Sequence, residues 1–475
     1  MDQSNNKNSD NPQAPPEVFH VVENLFRHEA GKMVAILAHI FGVDNLSLAE
    51  DVVQDALARA LQTWPEHGVP DNPAAWIMRA ARNRALDVVR REKVFRDKEP
   101  EIIRLMDNEG ASPEAALLTE QEITDDRLRL MFVCSHPLIP AEAQVALALK
   151  TLCGFSVTEI SRAFLTSEAA IAKRLTRAKQ KIREAQIAFE IPAGGELSAR
   201  LDGVLQSLYL LFNEGYKASG GDRLVREELC HEAIRLTALL AAHPAGNRTR
   251  THALLALMLM NAARLPARVD DEGNLLRLKE QDRTRWDQAL IAQGMFHLAQ
   301  STTDRELSKY HLQAVIATYH STARDYESME WRQILAVYDR LMEFDDSPVV
   351  ALNRAVALAE VDGPQAGIQA INQIRNLQSL ESYYLLPSVL GELESRLNHW
   401  PVAAGHFRRA LELAEIKSEQ VFLSKRLQEC MQNLVPAPSP APSLSADKKN
   451  SNGCPEVPDP FVIAMTEQQT TTEKI

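Results

Sequence analysis

Cysteine, glycine and aromatic residues are all scarce in this chain, and each scarcity removes a class of fold. The five cysteines (Cys134, Cys153, Cys230, Cys430, Cys454) are odd in number and scattered, with no C-x-x-C pair. Neither a disulfide framework nor a cysteine-rich zinc site is expected. Aromatic residues make up 6 % and glycines number 19 in 475 residues, which is poor in what strands and tight turns need. The most apolar run, residues 253–259 (ALLALML) continued by Met260, falls far short of the roughly 20 residues that span a bilayer. Residues 1–16 (MDQSNNKNSDNPQAPP) are polar and carry no signal-peptide stretch. The expected location is the cytoplasm, with no membrane partner. Basic residues are outnumbered as well, 52 Lys and Arg against 64 Asp and Glu for a net charge of −12. That excludes a uniformly basic nucleic-acid coat and leaves room for a local basic stripe.

What remains reads as helix almost throughout, with apolar residues recurring at three and four. An all-α fold is expected, and the length suggests about three domains. Residues 1–16 and the tail 436–475, with its P-A-P-S-P-A-P run and Thr-rich end, lack the apolar residues to build a core and are expected to be disordered. Gln54, Leu57, Leu61 and Trp64 lie on one face of a helix opened by Glu50 and Asp51 and stopped at Pro65. A loop over residues 65–72 follows, then a second helix starting at Pro73, a proline at an acceptable first-turn position. It runs through Trp76, Ile77, Ala80, Leu86 and Val89. Trp64 and Trp76 fall at apolar spacing inside these helices and are expected in the core. Residues 93–124 hold no sustained period and read as a linker. A compact helical unit is expected over 125–190, and Pro192, Gly194 and Gly195 mark the next boundary. The region 196–435 is all helical. Leu352, Ala366, Ala370 and Ile374 recur 37 positions later as Val389, Ala403, Phe407 and Leu411, a loose tetratricopeptide-like repeat.

The charge is unevenly spread. Residues 79–98 hold eight basic side chains against three acidic, and residues 164–184 hold six against two. Two basic helices on an acidic chain suit phosphate contacts, with solvated helix faces as the bland alternative. Around the second stripe, residues 155–164 form a short helix with Ser156 as N-cap and Glu159 completing a capping box. Residues 165–167 make a turn, and Ser167 caps a second helix over 168–183. Ile160, Ile171 and Leu175 supply the contact between them. In such a helix-turn-helix the second helix enters the major groove with its first turns on the bases. Glu168, Ala169, Ala172 and Lys173 are the base-edge candidates. Arg174, Arg177 and Lys179 suit phosphates, and Arg174 also lies within reach of a guanine.

Three segments in order now resemble a known family. They are residues 49–56 (AEDVVQDA), residues 72–77 (NPAAWI) with 81–91 (ARNRALDVVRR), and the helix-turn-helix ending in residues 173–179 (KRLTRAK). Together they resemble the extracytoplasmic-function class of sigma-70 family RNA polymerase sigma factors. On that resemblance, residues 17–92 correspond to sigma region 2 and residues 125–190 to region 4. It implies a docking surface at Asp51, Gln54 and Asp55 for the β′ clamp helices of core RNA polymerase, with the β flap as a further contact. It implies that the loop bearing His67, the helix through Asn83 and Asp87, and a basic groove of Arg79, Arg82, Arg84, Arg90 and Arg91 capture and read the promoter −10 element during melting. It also implies that Ser167, Glu168, Ala172, Lys173, Arg174, Arg177 and Lys179 read the −35 element. Further stretches, among them residues 208–216 (LYLLFNEGY) and 280–287 (EQDRTRWD), resemble a subgroup carrying a helical, TPR-like extension. The extension is expected to regulate the protein in cis or to dock a protein partner. Its embedded polar residues Asn213, Glu214, Gln281, Asp282, Arg283, Asn353 and Arg354 read either as function or as an internal hydrogen-bond network. Glu280, Asp282 and Asp287 have no nucleophile or metal set nearby, and no Gly-rich phosphate loop or H-E-x-x-H occurs. No enzymatic activity, cofactor or metal is expected.

Overall fold

The computed structural model describes residues 16–91, 120–164, 166–192, 195–217, 225–304 and 306–434. The expectations of disorder for the head and tail, and of a linker over most of 93–124, lie outside these residues. Among the described residues every regular element is a helix, apart from one isolated bridge between Val269 and Leu275. The chain divides into two compact units, residues 1–161 with 166–207, and residues 162–165 with 208–475.

The first unit holds α1 (Pro16–His28), α2 (Ala30–Phe41), α3 (Leu46–His67), α4 (Pro73–Arg91), α5 (Glu120–Cys134), α6 (Ala141–Cys153), α7 (Val157–Ala163) and α8 (Glu168–Ala185). It also holds the start of α9 (Gly195–Tyr216). The organising element is α2, whose Met33, Val34, Ala35, Ile36, Leu37, Ala38 and Phe41 are all buried. A helix apolar all round needs partners all round, and α2 packs on α1, α3, α5 and α6. At Gly31 the approach is too close for any side chain, since a Cβ there would lie 2.0 Å from the Leu152 carbonyl oxygen of α6. Helices from both the region 2 and the region 4 segments thus pack against α2 within one compact unit.

Both ends of α3, and the extent of α5, differ from the sequence expectation. Helix α3 begins at Leu46, before Glu50 and Asp51, and passes through Pro65 to His67. Proline removes one N–H and disturbs the preceding turn, but with the helix nearly over this is tolerated. The stop comes from Gly68, whose φ of 82° leaves the helical region while its N–H still reaches the Trp64 carbonyl at 2.9 Å. Helix α5 covers Glu120–Cys134 and so includes residues ahead of the expected start at 125.

The second unit continues with α10 (Glu227–Ala242), α11 (Thr249–Ala262), α12 (Gln288–Gln300), α13 (Lys309–Thr322), α14 (Trp331–Leu341), α15 (Pro348–Asp362), α16 (Pro364–Asn372), α17 (Leu385–Arg396), α18 (Trp400–Leu413) and α19 (Lys417–Leu434). The apolar run 253–260 is buried in α11, which packs on α10, α12 and α13. The 37-residue recurrence corresponds to two successive helix pairs, α15 with α16 and α17 with α18. Leu352, Val389, Ala403 and Phe407 of the repeat are buried in one cluster, with Ala370, Ile374 and Leu411 packed against it. Each such Leu or Phe contributes about 1.5–3 kcal/mol by leaving water. Gly391 lets α17 approach α18, because a Cβ there would meet the Phe407 ring at 2.9 Å.

Polar groups inside this unit are mostly paired. The fully buried Glu392 carboxylate accepts from Arg426 Nε at 2.6 Å and Nη2 at 2.9 Å. The Tyr384 hydroxyl donates to Glu419 at 2.5 Å, Arg354 donates to Asp339 at 2.5 Å, and Arg396 pairs with Glu360. Gln281 and Asn353 are buried and Arg283 donates to the His320 and Ala323 carbonyls. Of the residues weighed, Gln281, Arg283 and Arg354 have partners, the buried Asn353 Nδ2 has none among the described residues, and Asp282 is exposed and caps a single turn through Thr284 N–H.

Candidate nucleic-acid interface

Helix α3 turns Val52, Val53, Ala56, Leu57, Ala60 and Trp64 inward. That leaves Asp51, Gln54 and Asp55, spaced at i, i+3 and i+4, exposed together on the opposite face. Asp55 lies 3.5 Å from Arg84 of α4, with both side chains largely in solvent, a pair worth well under about 1 kcal/mol. Carboxylates and an amide on one solvated face form a surface that suits an arginine-rich partner.

Trp64 is buried and meets half-buried Trp76 edge-to-face, ring centroids 5.5 Å apart. Both belong to the packing between α3 and α4, as their spacing implied. The loop between those helices is short, residues 68–72. His67 stands exposed at its start, with Nδ1 3.0 Å from the Thr63 carbonyl, and Val69 is exposed beside it. Asn72 closes the loop by accepting the Ala75 N–H at 3.0 Å, a side-chain cap on α4. On α4 the buried stripe is Ile77, Ala81, Ala85 and Val89, and Asn83, Arg84 and Asp87 share the exposed face. Arg79 is exposed and Arg82 half-buried. Arg90 and Arg91 end the helix, and their side chains lie outside the described set.

The helix-turn-helix forms by local hydrogen bonds. Glu159 N–H donates to Ser156 Oγ at 3.0 Å and Ser156 N–H to Glu159 Oε2 at 2.8 Å, which is the capping box. Ser167 Oγ accepts from Ala170 N–H at 3.2 Å, and Thr158 Oγ1 ties the two helices by donating to Glu168 at 2.7 Å. Ile160, Ile171 and Leu175 are buried between them. Ser167, Glu168, Ala172, Lys173 and Arg177 are exposed at the start and outer face of α8.

Arg174 and Lys179 are placed differently. Arg174 Nη2 lies 2.7 Å from Glu142 of α6, and Lys179 pairs with Glu50 of α3, a residue only 7 % exposed. Burial raises the Glu50 carboxyl above its ordinary range, against the opposing pull of Lys179. In the same unit, His39 Nδ1 lies 3.0 Å from the buried Asp126 carboxylate, which also takes Arg129 at 2.7 Å. Arg183 Nε reaches the Asp44 carbonyl at 3.4 Å. None of these cross-contacts was read from the sequence. One signal was present: Glu50 is the one carboxylate in the stripe Leu46, Glu50, Val53, Leu57, so it faces the core. Among the described residues no cluster of three His, Cys, Asp or Glu is placed to hold a metal ion, and no helix is long and apolar enough to cross a membrane.

A solvated acidic face, a capped loop before a basic helix, and a capped helix-turn-helix are the parts expected of a DNA-binding transcription initiation factor. Comparison with known families gives the same class. Residues 25–94 match sigma-70 region 2, residues 132–182 match sigma-70 region 4, and residues 200–302 match a family of unknown function, DUF6596. The chain belongs to the sigma-70 family of RNA polymerase sigma factors, with a helical C-terminal extension. An uncharacterised protein of Rhizobium meliloti (strain 1021) is 38 % identical over 384 residues, covering 81 % of this chain and 90 % of that protein. No solved structure matches.

Proposed function

We propose that the protein is a sigma factor of the extracytoplasmic-function type. Asp51, Gln54 and Asp55 dock on the β′ clamp helices of core polymerase, and region 4 meets the β flap. His67 and the Asn83, Arg84 and Asp87 face of α4 capture the −10 element, with Arg90 and Arg91 extending the basic groove. Ser167, Glu168, Ala172, Lys173 and Arg177 meet the −35 element, with Arg174 and Lys179 on its phosphates. The observation that carries this reading is the shared exposure of Asp51, Gln54 and Asp55 on one face of α3, ahead of the exposed polar face of α4.

Promoter engagement then requires unit 1 to open. The −10 and −35 elements are separated by about 25 base pairs, roughly 85 Å at 3.4 Å per step. Lys179 of α8 meanwhile rests on Glu50 of α3. A helix cannot hold both, so core polymerase must separate the two halves and release Lys179 and Arg174 to phosphate. The C-terminal helical domain acts on this step, either in cis or by docking a protein partner. The expected location is the cytoplasm, where core polymerase and promoter DNA are found.

The test is run-off transcription with core polymerase and the full chain on a promoter selected from a random library. Lys173→Ala with Arg177→Ala should abolish dependence on the upstream element, and Asn83→Ala with Asp87→Ala dependence on the downstream one. Activity that ignores both pairs of changes would refute the assignment. A chain shortened to residues 1–207 with unchanged activity and promoter choice would refute control by the extension.

A further inference from the structure

Arginines with little solvent exposure in the second unit are, at five places, met by carboxylates: Arg226 by Glu214 and Glu228, Arg250 by Glu306, Arg277 by Glu280 and Glu392, Arg396 by Glu360, Arg426 by Glu392. Two arginines just beyond the end of α11 break this pattern. Arg264 is 4 % exposed and Arg268 is 7 % exposed, yet among the described residues neither has a carboxylate within ion-pair distance. Arg264 reaches Gln281 Oε1 at 3.3 and 3.4 Å and otherwise lies over the Trp286 ring. Arg268 stacks on Tyr216 with its guanidinium carbon 3.7 Å from the ring centroid, and its buried Nη1 has no hydrogen-bond partner. Buried His320 adds a second orphan. Its Nδ1 is also unpartnered, and burial holds the imidazole neutral with a pKa down to about 3.

Buried charge without a counter-charge is costly, and folds avoid it by pairing or by binding. The two guanidiniums, borne by the residues flanking the 3-10 segment Leu265–Ala267, present planar donor forks of the kind that match a carboxylate or a phosphoryl group. The aromatic rings of Tyr216 and Trp286 fix the planes of those forks. Lys217 lies over the Tyr384 ring at 4.4 Å, and Arg283 lies over the same Trp286 ring as Arg264, at 4.4 Å. Lys217 already has Glu419 at 3.4 Å, so the deficit of negative charge lies at Arg264 and Arg268.

We propose that the C-terminal helical domain binds a small oxyanion, a carboxylate or phosphate group, between Arg264 and Arg268. Stacking and the Gln281 amide hold the two cations in place, and the anion supplies the missing counter-charge.

The experiment measures the melting temperature of the full chain in inorganic phosphate and in succinate, each against chloride at the same ionic strength and pH. Binding to the folded state raises the transition as the logarithm of ligand concentration. The wild type should show such a rise with at least one oxyanion, and the larger response identifies phosphate or carboxylate as the source. Arg268→Met should abolish the rise while keeping the helical circular dichroism. If Arg268→Met fails to fold, Arg268→Lys decides, since it keeps the charge but loses the fork; a tenfold or greater loss of apparent affinity is expected. No rise above chloride in the wild type, or an equal rise in the folded Arg268 variant, overturns the proposal.

Discussion

Replacing Lys179 by Met would leave the Glu50 carboxylate without its cation in a position 7 % exposed. One oxygen of that carboxylate, Oε1, already has no hydrogen-bond partner, and Lys179 is the side-chain donor to the other. Breaking a buried pair from one side costs about 3–5 kcal/mol, because the remaining charge must be hydrated or neutralised. Lys179 is itself about a fifth exposed, so the lower end of that range is expected. Hydrogen exchange on the full chain is the suitable assay, since it reads α3 and α8 locally where a multi-domain melt does not. Lys179→Met should lower the opening free energy of α3 by about 3 kcal/mol. The pair Glu50→Gln with Lys179→Met should recover most of this, because removing both charges is often neutral. The pH dependence has a definite sign. A carboxyl whose folded pKa is raised contributes stability that is fully present below its unfolded value and is lost as pH rises through the folded value. Burial raises Glu50 from the ordinary 4.5, and losing Lys179 raises it further. The Lys179→Met defect should therefore shrink on acidification toward the carboxylate range. Protection in α3 within about 0.5 kcal/mol of wild type at neutral pH, or a defect that grows on acidification, would refute the reasoning.

Four other outcomes follow from the packing. Gly31→Ala places a Cβ 2.0 Å from the Leu152 carbonyl oxygen, so α2 and α6 must separate at a cost of about 1–3 kcal/mol or more; exchange protection in both helices reports it. Glu392→Ala takes the buried carboxylate from Arg426 Nε and Nη2 and leaves that arginine only Glu429, so it should cost about 3 kcal/mol, the low end for a broken buried pair, in the local stability of α17 and α19. Arg409→Ala removes an equally short but largely exposed pair with Glu412 at 2.9 Å and should change stability by less than about 0.5 kcal/mol. Asn72→Ala deletes the cap on α4 and should cost about 1 kcal/mol. The loss should be read as faster exchange in the first turn of α4, with the rest of the helix unchanged.

Local chemistry explains which features could be read in advance. The helix-turn-helix was legible because its signals are short-range: Ser156 with Glu159, Ser167 three residues before Ala170, and an apolar contact from Ile160, Ile171 and Leu175. The acidic face of α3 was legible because its buried face is periodic. The helix ends were read less well. Pro65 signals a stop, but Gly68 makes it, and Asn72 went unnoticed as a cap because it looked like loop. The Glu50–Lys179 contact joins residues 129 apart in sequence, so no local pattern carries it. The expectation of a helix opened by Glu50 and Asp51 treats Glu50 as a terminal acidic residue, which the burial of its side chain does not bear out. Its place in an apolar stripe was the better guide. Similarly, charge counting found the basic stripe of α8 but could not separate Arg174 and Lys179, turned inward to partners, from Lys173 and Arg177, turned to solvent.

The most direct measurement is binding of the full chain to bacterial core RNA polymerase, beside a Gln54→Ala/Asp55→Ala version whose exposed substitutions leave the α3 core untouched. The account predicts tight binding by the wild type and at least a tenfold loss in the double variant. Failure of the wild type to bind core polymerase would contradict the sigma-factor reading, and unchanged binding by the variant would contradict the docking face.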